Sequence, residues 1–189
     1  MSVRLFAAVY PPPEIAATLH ADCAPLRAAA PALRWTPAEQ LHATVRFYGA
    51  VEEALIPAVT ASIVESCRLF DPISAAVRAL GAFPGWGRSR VVYAGLAAEP
   101  KLELLHHEIE TRAMALGFEV EGRIFRPHLT LARLSDTPNV PLRRAIREAA
   151  RGVRVRHDFT IRSVALVASE PGPQGRVHQV VAQATLGRS

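Results

Sequence analysis

Lysine is nearly missing from this chain: Lys101 stands alone among 22 basic residues, the rest being arginine. In a sequence rich in alanine, that imbalance reads as a GC-rich coding bias as readily as a nucleic-acid surface. The formal charge of +5 therefore permits an acidic partner without locating one. Cysteine is almost as scarce. Cys23 and Cys67 form no CxxC and no zinc-ligand spacing, which argues against a disulfide scaffold and a thiolate metal site and favours buried apolar thiols in a reducing compartment. No apolar run approaches the ~18 residues that a bilayer-spanning helix needs. "MSVRLFAAVY" has too short an apolar core for a signal peptide and runs at once into three prolines, so a cytoplasmic protein is expected. Neither a GxSxG elbow nor a P-loop is present, which removes serine-hydrolase and NTPase readings.

What is present is a globular chain. Half of its 189 residues are hydrophobic and 21% are charged, enough apolar surface for a core without staples. Apolar patterning and punctuation predict strands over 3–9, 41–49, 72–80, 90–96, 127–133, 153–161, 163–169 and 176–186. Helices are expected over 11–30, 51–69, 99–117 and 141–151, with Pro57 kinking its helix or marking the first turn, and 81–89 reads as a loop. The order strand–helix–strand–helix–strand thus occurs twice, over roughly 3–80 and 90–161. A shift of 86 residues lays "LFAAV" on "VVYAG" and His42 on His128 (128 − 42 = 86). The expected fold is α+β: one bilobal domain over 1–189, two pseudo-symmetric lobes each with an antiparallel sheet and flanking helices, and an active-site cleft between them.

The doubled feature is a histidine followed two residues later by a threonine, in "LHATVRFYG" (41–49) and "RPHLTLAR" (126–133). Residues i and i+2 of a strand share a face, so His42 projects with Thr44 and His128 with Thr130. Seven histidines and nine threonines in random order would give about 0.3 such pairs. Two histidines facing each other suit acid–base chemistry near neutral pH, one accepting a proton while the other donates. Hydroxyl donors beside them suit an anionic oxygen, and a phosphodiester fits, because in-line displacement needs a base on the entering oxygen and an acid on the leaving one. Two histidines without a carboxylate or thiolate make an incomplete zinc site, so neither a metal nor another cofactor is expected.

"HATVRF" and "HLTLAR" resemble the two HxTx motifs of the 2H phosphoesterases, in particular the RNA 2′,3′-cyclic phosphodiesterase branch, historically called 2′-5′ RNA ligase. The resemblance extends to "RLFAAV", to "GAFP" before "RVVYAGL", and to the closing "SEPGPQGRVHQVV". It implies hydrolysis of a terminal RNA 2′,3′-cyclic phosphate to a 2′-phosphate without metal, on RNA ends such as those of tRNA fragments, by a monomer. His42 would then be the general acid on the departing 3′ oxygen and His128 the general base on water, labels that the pseudo-symmetry allows to be exchanged. Thr44 and Thr130 would hold the non-bridging oxygens, and Phe47 and Arg133 would frame the terminal base. Strict alternation instead puts Arg46 with His42 and Thr44, making Arg46 a weaker substrate-binding candidate, and a bulge or twist is required to bring Phe47 and Arg133 round. Three alternatives stay open: 2′-5′ ligation, the reverse reaction; a small nucleotide such as an ADP-ribose cyclic phosphate as substrate; and a non-catalytic module that binds RNA ends.

The other histidines carry less. His106 and His107 are adjacent on a predicted helix and are expected at the surface, His20 in the first helix is expected to be partly exposed, and His157 and His178 lie in late strands with no threonine two residues on. Six arginines between 143 and 156 are expected to form a solvated face, with steering of RNA as their other reading.

Overall fold

The computed structural model describes residues 1–134, 139–172 and 175–187. Strand β1 (Ser2–Val9) is followed by helices α1 (Pro13–Asp22) and α2 (Ala24–Ala29), the short β2 (Arg34–Trp35), β3 (Ala43–Glu52) and α3 (Ile56–Cys67). Then come β4 (Ile73–Phe83), β5 (Val91–Leu96), α4 (Pro100–Ala115), β6 (His128–Arg133), α5 (Val140–Gly152), β7 (His157–Ile161), β8 (Ser163–Gly172) and β9 (Gly175–Thr185). The expected helix over 11–30 is broken at Cys23. Pro57 lies in the first turn of α3, where its missing N–H costs nothing, so the helix starts late rather than kinking. The loop expected from residue 81 begins later, because β4 continues through Phe83.

All the strands pair antiparallel, in the order β7-β4-β5-β6-β3-β1-β8-β9, with β2 alongside β6. The architecture is α+β as expected, but the strands form one continuous sheet rather than two. Its two arms meet between β3 and β6, where the recorded pair is Ala43 opposite Leu129. These are the residues that directly follow His42 and His128.

Helices fold onto one face because that face is apolar at alternate positions. Leu19 of α1, Val59 and Ile63 of α3, and Leu102, Leu105 and Ile109 of α4 join Leu5, Ala7, Ala43, Val45, Leu129 and Leu131 in the main core. Leu26 of α2 and Ile146 and Ala150 of α5 cover Val92 and Ala132, and Trp35, Leu80 and Val153 touch both clusters. Each buried aliphatic side chain contributes on the order of 1.5–3 kcal/mol. Side-chain caps start two helices: Glu99 accepts from the Lys101 N–H at 3.2 Å, and Asn139 from the Leu142 N–H at 2.9 Å. Cys23 and Cys67 are free and buried, with thiol pKa values pushed by burial to about 11 and about 12. Among the described residues no helix is long and apolar enough to cross a membrane.

Candidate active site

Ala43 and Leu129 point into the core, 1% and 0% exposed. Strand alternation therefore turns His42 with Thr44, and His128 with Thr130, to the opposite face, where all four are half-buried. The antiparallel register of the Ala43–Leu129 pair directs His42 towards Thr130 and Thr44 towards His128, so the two motifs meet about a local approximate twofold axis.

The local build is the same on both sides. His42 Nδ1 lies 2.7 Å from the Gln40 carbonyl oxygen, and His128 Nδ1 lies 2.6 Å from the Arg126 carbonyl oxygen, in each case two residues back along the chain. A carbonyl only accepts, so Nδ1 carries the proton in both rings and Nε2 is left for chemistry.

Beyond each threonine the strand bulges. Thr44 pairs with Ala8 and Arg46 with Ala7, which skips Val45; Thr130 pairs with Tyr93 and Ala132 with Val92, which skips Leu131. Each extra residue resets the alternation, so Phe47 and Arg133 rejoin the histidine face and are both exposed. Both bulge carbonyls are held from outside the strand pair. His106 Nδ1 lies 2.8 Å from the Val45 oxygen, and the Thr36 N–H donates to the Leu131 oxygen at 2.8 Å.

The bulge moves Arg46 the other way, and the substrate-binding expectation for it is corrected here. Arg46 is 1% exposed on the core side. Its Nε donates to Glu110 Oε2 at 2.7 Å, and its terminal nitrogens donate to the Glu119 oxygen at 2.7 Å and the Phe47 oxygen at 3.1 Å. Glu110 Oε1 in turn accepts from the Glu121 N–H, and Glu121 Oε2 from the Phe47 N–H. Arg46 is a strut that fastens the β3 bulge to the segment leading into His128. The surface expectation for His106 is corrected as well: besides its bond to Val45, its ring stacks on Phe125 at 4.1 Å and 6°. His107 is exposed as expected.

Each histidine belongs to a three-ring cluster that sequence reading missed. Phe6 stacks on His42 at 5.0 Å, and His178 stands edge-on to both Phe6 (5.1 Å) and His42 (5.2 Å). Across the site, Phe83 and Tyr93 stack at 4.3 Å and stand edge-on to His128 at 4.9 and 5.2 Å. Tyr10 adds a further ring 5.6 Å from His42. Gly81 makes room for Tyr93, since a Cβ there would lie 2.2 Å from the tyrosine ring. The available signal was the repeat itself, which lays "LFAAV" beside one motif and "VVYAG" beside the other. Nothing in the spacing marked His178, which reaches His42 through the β8–β9 hairpin; Pro173 and Gln174 of that segment lie outside the described residues.

Burial pushes the His42 pKa down to about 4; the Gln40 carbonyl opposes this, while His178, Arg133 and His128 add charges that disfavour protonation. Burial also lowers His128, against the pull of the Arg126 carbonyl and with a push from Arg133. Without a bound anion both rings are neutral near pH 7. Among the described residues no three His, Cys, Asp or Glu side chains converge to hold a metal ion. The remaining histidines lie elsewhere: His157 Nε2 contacts Asp22 Oδ2 at 2.6 Å, and partly exposed His20 packs against Trp35 and Arg27. Arg144, Arg147, Arg151, Arg154 and Arg156 are exposed, and Arg143 donates to the Gly87 oxygen.

The sequence profile of the 2'-5' RNA ligase superfamily matches residues 11–173. A Thermus thermophilus protein named RNA 2',3'-cyclic phosphodiesterase is 32% identical over 192 residues, spanning 97% of this chain and 90% of that one. An Aeropyrum pernix protein of the same name is 37% identical over 104 residues, 54% of this chain and 58% of its own. The crystal structure of TT0787 from Thermus thermophilus superposes with a TM-score of 0.77 at 30% identity, covering 98% of this chain and 100% of that one. Escherichia coli LigT, solved with 3'-AMP, shares the fold at a TM-score of 0.75 and 24% identity, over 98% of this chain and 99% of its own. The two HxT strands, their matching bulges and this span of likeness lead to one assignment: the chain belongs to the 2'-5' RNA ligase superfamily.

Proposed function

We propose that this protein hydrolyses the 2′,3′-cyclic phosphate at the end of an RNA to a 2′-phosphate, using two histidines and no metal. The observation that carries the reading is the pair of HxT motifs brought together at the Ala43–Leu129 register, each imidazole with Nδ1 on a backbone carbonyl. The relatives named RNA 2',3'-cyclic phosphodiesterase support the substrate class. On this reading the two arms of the sheet act as two lobes about a shared cleft.

His128 Nε2 takes a proton from water, whose oxygen attacks phosphorus. The bond from phosphorus to the 3′ oxygen breaks, and that oxygen leaves with the proton of His42 Nε2. One water is consumed, and the proton gained by His128 balances the one lost by His42. Thr44 and Thr130 donate to the non-bridging oxygens, where charge builds up. Phe47, 55% exposed, and Arg133 offer an aromatic and a guanidinium plane that hold a terminal base whatever its identity. The neutral state of both rings suits His128 as a base at once, and the arriving anion favours the protonated form of its partner.

The test is an oligonucleotide ending in a 2′,3′-cyclic phosphate, incubated with excess EDTA and wild type, His42→Ala or His128→Ala. A 2′-phosphate from wild type alone is the expected product. Failure of wild type to turn over, or a 3′-phosphate product, overturns the reading.

A further inference from the structure

The two ring clusters are alike in build and unlike in chemistry. In each, a reacting histidine touches a phenylalanine and a third ring, and all three rings are in mutual contact. Beside His128 the third ring is Tyr93, a phenol 5.2 Å away. Beside His42 it is His178, a second imidazole, 5.2 Å from the first and at 74° to it. His178 Nδ1 is buried without a hydrogen-bond partner, a cost that calls for an explanation in a site meant to handle protons. The hairpin that presents this ring is pinned, because Arg176 donates to Ser169 Oγ and to the Ser169 carbonyl oxygen, both at 2.6 Å.

We propose that His178 is a positioning residue for His42: the two imidazoles share one proton, and this fixes the proton-donating side of the reaction on the His42 cluster. The inference rests on the function proposed above and removes its ambiguity about which histidine is the acid. A charge on either ring opposes a charge on the other, so once the pair holds one proton it takes a second only at much lower pH. A phosphodiester anion entering the site draws in that one proton, and both places that can hold it lie on the same side of phosphorus. The third ring beside His128 is a phenol instead, and His128 stays neutral to receive the proton of water.

The groups facing His42 are Tyr10 just after β1, Arg133 and His128 from β6, His178 from β9 and the Gln40 carbonyl. Those facing His178 are His42, Arg133 and Arg176. Burial lowers the pKa of both rings; Arg133 lowers both further, and Arg176 adds to the effect on His178. A guanidinium is a fixed positive charge, and burial pushes the Tyr10 phenol up. That leaves His42 as the titrating neighbour of His178, while His42 has both His178 and His128.

The test is an NMR titration of the histidine ring carbons in the full chain, for wild type and His178→Gln. In wild type the His42 curve is expected to bend twice, once at the midpoint of His178. In His178→Gln that bend disappears, and the His42 midpoint rises by about 0.6 to 2 pH units, the effect of removing a charge 5.2 Å away at intermediate dielectric. The alkaline limb of turnover moves up with it. A His42 curve with no bend at the His178 midpoint and no shift in His178→Gln overturns the proposal, as does loss of turnover at every pH with that curve unchanged. Should His178→Gln fail to fold, the wild-type curve alone decides. The titration needs no substrate, so absence of turnover on the oligonucleotide counts against the proposed reaction and leaves the pairing to be judged separately.

Discussion

The arm of the sheet that ends in β3 and the arm that ends in β6 solve the same problem twice. Each places a histidine at the start of a strand, points its Nδ1 at a carbonyl two residues back, sets a threonine beside it, and bulges at the next residue. They differ in what surrounds this unit. The β3 bulge is held by side chains, with His106 on its carbonyl and the buried Arg46–Glu110 pair behind it, while the β6 bulge carbonyl is held by the Thr36 backbone. The third ring is an imidazole in one arm and a phenol in the other. The HxT geometry is local and duplicated, whereas what distinguishes the two arms comes from neighbours recruited elsewhere in the chain.

The sharpest break in the comparison is removal of either imidazole. His42→Ala and His128→Ala should each lower kcat by about 10²–10⁴-fold, the usual range for a general acid or base, with the fold retained by circular dichroism. Full retention of activity in either variant would dismiss that arm from the chemistry. Next in size is Arg46→Met in the β3 arm. It leaves Glu110 buried without its cation, and a loss of about 3–5 kcal/mol is expected from the urea midpoint. A change below about 1 kcal/mol would return Arg46 to the surface role that alternation suggested.

Gly81→Ala probes the other arm. Its new methyl must displace Tyr93, which packs His128, so a loss of about 1–3 kcal/mol and a fall in kcat are expected while the β3 arm is untouched. NMR shifts confined to the surroundings of His42 would contradict this placement. The gentlest probe changes no residue and varies only the pH. His42 titrates at about 4 in the folded chain and near 6.5 when unfolded, so its contribution to stability is complete above about 6.5 and is lost as pH falls towards 4. Thermal melts across that window should decline on the acid side, and a phosphate anion, which favours the charged ring, should stabilise most at the acid end. For the same reason the kcat/KM profile, which reports the free protein, should peak below the kcat profile.

Sequence reading reaches the α+β class, the order of the long elements and the shared face of each HxT pair, because alternation and a repeated polar pair are local signals. It goes wrong where one extra residue changes the face. "TVRF" carries no mark of a bulge at Val45, so alternation puts Arg46 with Thr44 although its guanidinium is buried on Glu110. It also misses contacts made across the fold. His106 reaches Val45 and His178 reaches His42 over separations that no spacing rule covers, and the single sheet replaces the two expected ones through the pairing at Ala43 and Leu129.

The central claim is that two like histidines do opposite work, and a change of leaving group tests it most directly. An RNA end whose cyclic phosphate bridges through sulfur at the 3′ position releases a thiolate, which needs no proton to depart. His42→Ala should recover most of its lost activity on this substrate, while His128→Ala, still lacking a base for water, should recover none. Recovery by His128→Ala instead, or no recovery by either variant, would contradict the account.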